Sequence, residues 1–301
     1  MTEAIRIEKL TKTYGKARGV IDLDLVVEAG EVFGYLGPNG AGKTTTIRTL
    51  LDLIRPTSGH CRIFGLDCQA ESIDVHKRVG YVPGELAIYP KLTGEQTVRH
   101  FAALRGGVDM GWVMELAERL DFDLKRPAKA YSSGNKRKLG LIMALMNKPE
   151  LLLLDEASGG LDPLVQQKFY NILVEMREAG STIFFSSHNL PEVERVCDRV
   201  AIIREGRLVA VEGVSDLKAK ALRRIEIQFR RPVAATAFEG LPGVKDVEVH
   251  RGRRLTFTVQ GSIDAIFKAA AKHTVNNVIS YEPSLEEVFL TFYEGGANDA
   301  R

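Results

Sequence analysis

The 301-residue chain has only three cysteines, Cys61, Cys68 and Cys197, an odd and scattered set without a C-x-x-C pair. That excludes a disulfide scaffold. With only His60 beside Cys61 and Cys68, the set also falls short of a structural zinc site, so buried or neutral thiols are expected. Long apolar runs are missing too. Leu139–Met146 and Val200–Ile203 are among the longest, far short of the roughly 20 residues that span a bilayer. The N-terminus MTEAIRIEKLTKTYGK has neither an apolar core nor a cleavage site, so it does not read as a signal peptide, and a chain made and kept in the cytosol is expected. Nor is there an excess of one charge. Forty-one Lys and Arg oppose 39 Asp and Glu for a net +2, so gross charge points to no nucleic-acid partner and no membrane surface. At 45% hydrophobic and 27% charged residues the composition is that of a globular protein. Its length allows two domains at roughly 150 residues each.

What is present is a pattern of alternating elements. Short runs with period-2 alternation before residue 30 (Ile5 and Ile7; Leu23, Leu25 and Val27) read as antiparallel strands. Glu31–Leu36 is a buried strand candidate, followed by a glycine-rich turn and an expected helix over Thr44–Ile54. The breaker cluster Arg55-Pro56-Thr57-Ser58-Gly59 stops it. Residues 90–147 are helical in pattern, with Thr93-Gly-Glu-Gln96 in the form of a capping box and an amphipathic stretch over Met110–Leu120. Leu151–Leu154 and Thr182–Ser186 read as fully buried strands around a helix over Pro163–Ala179 that Gly180 stops. Strands alternating with helices imply a largely parallel α/β sheet. Near residue 216 the texture changes. A charged helix over Ser215–Leu222 leads to alternating strands Ile225–Phe229, Val247–Val249 and Leu255–Val259, the last two joined by an Arg251-Gly252-Arg253 turn. A helix over Ile263–Lys272, a strand over Val275–Tyr281 and a second capping box at Ser284–Glu287 complete an α+β unit. The basic residues Lys218, Lys220, Arg223, Arg224, Arg230, Arg231, Arg251, Arg253 and Arg254 read as a solvated face or, alternatively, as a regulatory, dimer-stabilising or membrane-surface patch.

The chemistry begins at Gly37-Pro38-Asn39-Gly40-Ala41-Gly42-Lys43-Thr44, which is G-x-x-x-x-G-K-[ST] between an expected strand and an expected helix. Glycines let backbone N–H groups wrap phosphates, and the helix start adds the positive end of a dipole. Lys43 would reach the β- and γ-phosphates and the Thr44 hydroxyl a Mg²⁺ ion, with Thr45 following in the same turn. Leu151–Leu154 then delivers Asp155 and Glu156. The first carboxylate is placed to hold Mg²⁺ through water, the second to orient or deprotonate a water attacking the γ-phosphate.

Three further stretches make the order specific: Tyr131-Ser132-Ser133-Gly134-Asn135 before the acids, Gly160-Leu161-Asp162-Pro163 after them, and His188 at the end of a strand. This set, over residues 3 to about 215, resembles the ATP-binding subunit of ABC transporters. The ending Glu-Pro-Ser-Leu-Glu-Glu-Val-Phe-Leu at 282–290 and the β-rich tail look like the export-type branch that includes bacterial drug and antibiotic exporters. The resemblance implies a P-loop NTPase fold of ABC type with an antiparallel β subdomain and a helical subdomain (about 90–147). It covers residues 1–215 and is followed by a C-terminal α+β domain at 216–301. It implies ATP and Mg²⁺ as ligands, a separate membrane-embedded permease and a second ATP-binding subunit, identical or not. It also implies a place on the inner face of the cell membrane through the permease. By position, Tyr14 would stack on adenine. Ser132 and Gly134 would contact the γ-phosphate across a dimer interface. Asp155 would serve the metal and Glu156 as base, Asp162 would lie in a loop communicating between two sites, and His188 would sense the γ-phosphate. The alternative is a soluble ABC-type ATPase switching a translation or DNA-repair partner.

Two positions depart from the family pattern. After Tyr81-Val82-Pro83 the expected Gln is Gly84; either Glu85 substitutes for it, or backbone and water do. Ser133 stands where the family has Gly, and its Cβ would crowd a phosphate if the backbone there required φ > 0.

Overall fold

The computed structural model describes residues 2–15, 17–220 and 222–281, the side chains at 17, 18, 219 and 220 excepted. Contacts divide the chain into two compact units, Met1–Glu212 and Gly213–Arg301.

The first unit is built on two sheets. In one, β1 (Glu3–Tyr14) and β2 (Ala17–Glu28) pair antiparallel, and their alternating apolar residues Ile5, Ile7, Leu10, Leu23, Leu25 and Val27 are buried. β3 (Val32–Leu36), buried along its whole length, leads to α1 (Lys43–Leu50). β4 (Ser58–Ile63) and β5 (Leu66–Asp67) then return to the first sheet, whose order is β2-β1-β4-β5. All three cysteines are buried free thiols.

The chain continues through α2 (Ser72–Arg78), β6 (Val79–Val82), α3 (Gly94–Leu104), α4 (Met110–Arg119) and α5 (Ser133–Leu145). After these come β7 (Leu151–Asp155), α6 (Pro163–Glu178), β8 (Thr182–Ser187), α7 (Leu190–Val196), β9 (Arg199–Arg204) and β10 (Arg207–Gly213). The second sheet runs β10-β9-β3-β8-β7-β6, and β6, β7, β8, β3 and β9 are mutually parallel. β7 and β8 are buried throughout, the condition under which strands read as continuous apolar runs. Register then sets the site: Leu36 pairs with Ser187, and Asp155 with Ser186. Three adjacent strands therefore end level, at the carboxyl edge where open α/β sheets bind ligands.

Helix starts follow side-chain capping. Thr93 and Gln96 form both halves of the capping box on α3, while Asp109, Ser132 and Asp162 cap α4, α5 and α6. The helix expected over 44–54 is shorter. It closes at Leu50 with Asp52 left-handed (φ +51), Asp52 N–H on the Thr49 carbonyl and Leu53 N–H on the Arg48 carbonyl. That is a Schellman closure built on Asp where Gly is the usual residue.

In the second unit, α8 (Val214–Lys220) precedes β11 (Arg223–Phe229), β12 (Val244–His250), β13 (Arg254–Val259), α9 (Asp264–Ala270) and β14 (Val275–Tyr281). The antiparallel sheet has order β12-β13-β11-β14, and Ile225, Ile227, Phe229, Leu255, Phe257, Phe238 and Ile266 form its core. Arg251 and Gly252, both left-handed, make the turn between β12 and β13. The capping box at 284–287 and the 282–290 ending lie outside the described residues. Among the described residues no helix is long and apolar enough to cross a membrane.

Candidate nucleotide and metal site

The loop leaving β3 must turn back sharply to start α1, and glycine makes this possible. Gly42, the residue before the helix, sits at φ +111, and a Cβ there would lie 2.9 Å from the Gly19 carbonyl oxygen. No side chain caps α1 and no acid occupies its first turn, so its leading N–H groups and dipole are left to an anion. Lys43 opens this helix and is 5% exposed. Its Nζ donates to the carbonyls of Gly37 (2.7 Å) and Pro38 (3.1 Å) and stands 3.2 Å from Glu156 Oε1. Asn39, Gly40, Gly42, Lys43, Thr44, Thr45, Gly84, Asp155 and Glu156 line a cleft of about 440 Å³. The expected P-loop and acid pair thus face one space.

Asp155 ends β7 and is buried. Ser186 Oγ donates to its Oδ1 at 3.3 Å, and the Thr44 hydroxyl faces the same carboxylate. Burial, reinforced by the neighbouring Glu156 charge, raises its pKa against the Thr44 and Ser186 hydrogen bonds, and the net shift is upward. A cation beside this carboxylate would relieve that cost. Among the described residues no group of three or more His, Cys, Asp and Glu is placed to hold a metal. The donor set, one hydroxyl and one carboxylate, instead fits Mg²⁺ shared with substrate phosphates.

Glu156 is the first residue past β7, with its N–H on the Ser186 carbonyl and its backbone left-handed at φ +51, a conformation that costs energy for a non-glycine residue. Its Oε1 lies 3.3 Å from His188 Nδ1 as well as 3.2 Å from Lys43. Burial pushes the carboxyl up, but the Lys43 ammonium and the His188 imidazole outweigh it, and the net shift is downward. The group is therefore ionised at neutral pH, the form that can accept a proton.

Four of the expected residues stand apart from this cleft. Tyr14, at the end of β1, is 45% exposed with the Lys12 ammonium over its ring. Ser132 is exposed, and its Oγ caps α5 by accepting from Asn135 N–H. Asp162 caps α6 through Val165 N–H at 3.0 Å. Gly134, in the first turn of α5, packs so closely that a Cβ would lie 2.6 Å from the Gly160 carbonyl oxygen. Gly134→Ala is expected to force backbone apart and cost about 1–3 kcal/mol, read as a lowered urea midpoint at unchanged m-value. Ser133 opens α5 in helical conformation, so the condition under which its Cβ would crowd a phosphate does not arise.

Gly84 lines the cleft, and a Cβ there would sit 3.7 Å from Asp155 Oδ2. Glu85 is exposed and off the cleft. Gly84 and Glu85 lie in a bend beyond β6, and of the two alternatives it is the Gly84 backbone, not the Glu85 side chain, that borders the site. Glu85→Ala is accordingly expected to leave basal hydrolysis within about twofold, under about 0.4 kcal/mol of barrier; a steady-state rate measurement checks it. The loop is held by Arg137, whose guanidinium donates to the carbonyls of Pro83 (2.6 Å) and Gly84 (2.5 Å). Nothing in the sequence distinguished Arg137 within Lys136-Arg137-Lys138, and Glu192, Ser158 and Ser187 beside the site carried no signal either.

The family model described as ABC transporter matches residues 20–159. The bacitracin transport ATP-binding protein BcrA of Enterococcus faecalis is 33% identical over 98% of both chains. The fluoroquinolones export ATP-binding protein of Mycobacterium tuberculosis is 35% identical over 96% of this chain and 93% of its own. The daunorubicin/doxorubicin resistance ATP-binding protein DrrA of Streptomyces peucetius is 33% identical over 99% and 94%. A solved ATP-binding subunit of an ABC transporter superposes with a TM-score of 0.66 at 28% identity, covering 71% of this chain and 92% of that one. A dimeric ATP-binding cassette in a post-hydrolysis state with ADP and Pi shares the fold, at TM-score 0.64 and 20% identity over 70% and 98%. With a P-loop, an acid pair and a histidine gathered at one sheet edge, and with likeness along nearly its full length, the chain belongs to the ABC transporter family as one of its ATP-binding, ATP-hydrolysing subunits.

Proposed function

We propose that this chain powers a membrane-embedded exporter, docking on a separate permease at the inner face of the cell membrane and pairing with a second ATP-binding subunit. The observation that carries the reading is the convergence of Lys43, Asp155 and Glu156 on one cleft, with His188 against Glu156. In this reading the P-loop (Gly37, Pro38, Asn39, Gly40, Ala41, Gly42) wraps the phosphates of ATP, its N–H groups other than at Pro38 and those of Thr44 and Thr45 donating to them, with Lys43 supplying charge. Thr44 and Asp155 would hold Mg²⁺, which neutralises phosphate charge when bound. Glu156 orients and deprotonates the attacking water, and His188 stands beside it to meet the γ-phosphate. Tyr14 takes the adenine. Ser132 and Gly134, which do not line their own cleft, serve the nucleotide of the second subunit, with Asp162 in the loop between the two sites.

Residues 1–215 form the ATP-binding domain, including the helical subdomain at about 90–147, and 216–301 an accessory domain; the division of contacts at Glu212/Gly213 supports this. The named relatives transport bacitracin, export fluoroquinolones or confer daunorubicin/doxorubicin resistance, which supports a drug or antibiotic as cargo. Their match along nearly the whole chain disfavours a translation or DNA-repair switch. A tagged chain expressed in its native cells is expected to copurify with an integral membrane protein when membranes are solubilised in detergent. A chain recovered alone from both membrane and soluble fractions would contradict the reading.

A further inference from the structure

Glu192 lies on α7 and is 8% exposed, yet two loops share its carboxylate. Oε2 accepts from Ser158 Oγ at 2.7 Å and from Ser187 Oγ at 3.1 Å, and Oε1 accepts from Asn189 Nδ2 at 3.2 Å. Ser158 follows Glu156 by two residues, and Gln166 Nε2 binds its carbonyl at 3.2 Å. Ser187 and Asn189 flank His188, and Asn189 N–H closes back on Ser187 Oγ at 2.9 Å. One buried carboxylate therefore ties together the segments that carry Glu156 and His188, whose side chains meet at 3.3 Å.

Burying a carboxylate is expensive unless donors saturate it, and hydrogen bonds to an ionised acceptor are stronger and more directional than neutral ones. Packing α7 against the sheet would need only an apolar side chain at this place. What the charge adds is a fixed separation between the two segments that carry Glu156 and His188, and catalytic geometry loses rate steeply with small displacements.

We propose that Glu192 is a positioning residue that sets the distance between the side chains of Glu156 and His188. The proposal rests on the roles given to those two residues above. Its test uses the full chain and separates hydrolysis from binding. Glu192→Leu is expected to lower kcat at least tenfold, while the affinity for a fluorescent ATP analogue changes less than threefold. Glu192→Gln is expected to keep at least a third of the rate, because its carbonyl can accept from both serines and Asn189 can turn its amide to present oxygen. If Glu192 acts through His188, the Leu substitution costs less than threefold once His188→Ala is already present.

Wild-type kcat in Glu192→Leu, an equal loss of affinity and kcat, or an equal loss with and without His188→Ala would each overturn the proposal. Should Glu192→Leu not fold, Ser158→Ala removes one donor and leaves the carboxylate. It is expected to lower kcat threefold or more at unchanged affinity, and an unchanged kcat would overturn the proposal as well. Failure of the underlying reading shows separately, as wild-type hydrolysis by Glu156→Gln or His188→Ala alone.

Discussion

Lys43→Ala is expected to abolish hydrolysis, lowering kcat/KM by about a thousandfold, or about 4 kcal/mol of transition-state stabilisation. The magnitude follows from where the ammonium sits. It is almost fully buried and held by the Gly37 and Pro38 carbonyls, so its charge is little screened by water and its position is fixed before substrate arrives. Alanine removes the cation and leaves the glycine-rich turn intact, so the fold should survive the change. A second consequence is electrostatic. The Lys43 charge is the main influence that holds the Glu156 carboxyl below its ordinary range against burial, and without it that pKa should rise. A radiometric phosphate-release measurement on purified protein, with circular dichroism to verify folding, checks this. Wild-type turnover by Lys43→Ala would remove the P-loop from the account.

Glu156→Gln is expected to separate binding from chemistry. The amide keeps the size of the side chain and can still accept from Lys43, but it cannot take a proton, so kcat should fall about 10²- to 10⁴-fold with ATP affinity retained. Because ATP then stays bound, the two-subunit state should persist, and size-exclusion chromatography in ATP and Mg²⁺ should show a dimer that is transient for the parent chain. A Gln variant that remains monomeric and hydrolyses ATP normally would contradict both the base role and the paired state. The downward shift of the Glu156 pKa adds a sign: protonation lies below the ordinary carboxylate range, so loss of the base form should not limit hydrolysis near neutral pH.

The residues that carry phosphate chemistry were legible because they are local. A glycine turn between strand and helix, and an apolar run ending in two acids, announce themselves in a few consecutive letters, and the capping box of α3 is as short. What escaped depends on contacts distant in sequence. β4 and β5 contain Gly59, His60, Arg62 and Asp67, with no sustained alternation, and are strands because β1 offers β4 a partner edge and β4 in turn pairs with β5. Asp52 ends α1 by adopting a conformation that Gly would have advertised. Arg137 and Glu192 look like surface charges in a row of charged residues. Only folding brings the first to the Pro83–Gly84 carbonyls, 53 and more residues away, and the second to Ser158, 34 residues away. Gly134 was read for its contact with a second subunit; within its own chain it is also the place where α5 touches the loop at Gly160.

The central claim is that each ATP site is completed by a second subunit, since Ser132 is exposed and off its own cleft. It is tested most directly by mixing two inactive chains, Lys43→Ala and Ser132→Arg. A mixed dimer holds one site with both defects and one with neither. Random pairing of equal amounts should therefore restore roughly a quarter of the wild-type rate, because half the dimers are mixed and each has one intact site. A mixture as inactive as its two components, with mixed dimers present, would contradict the account.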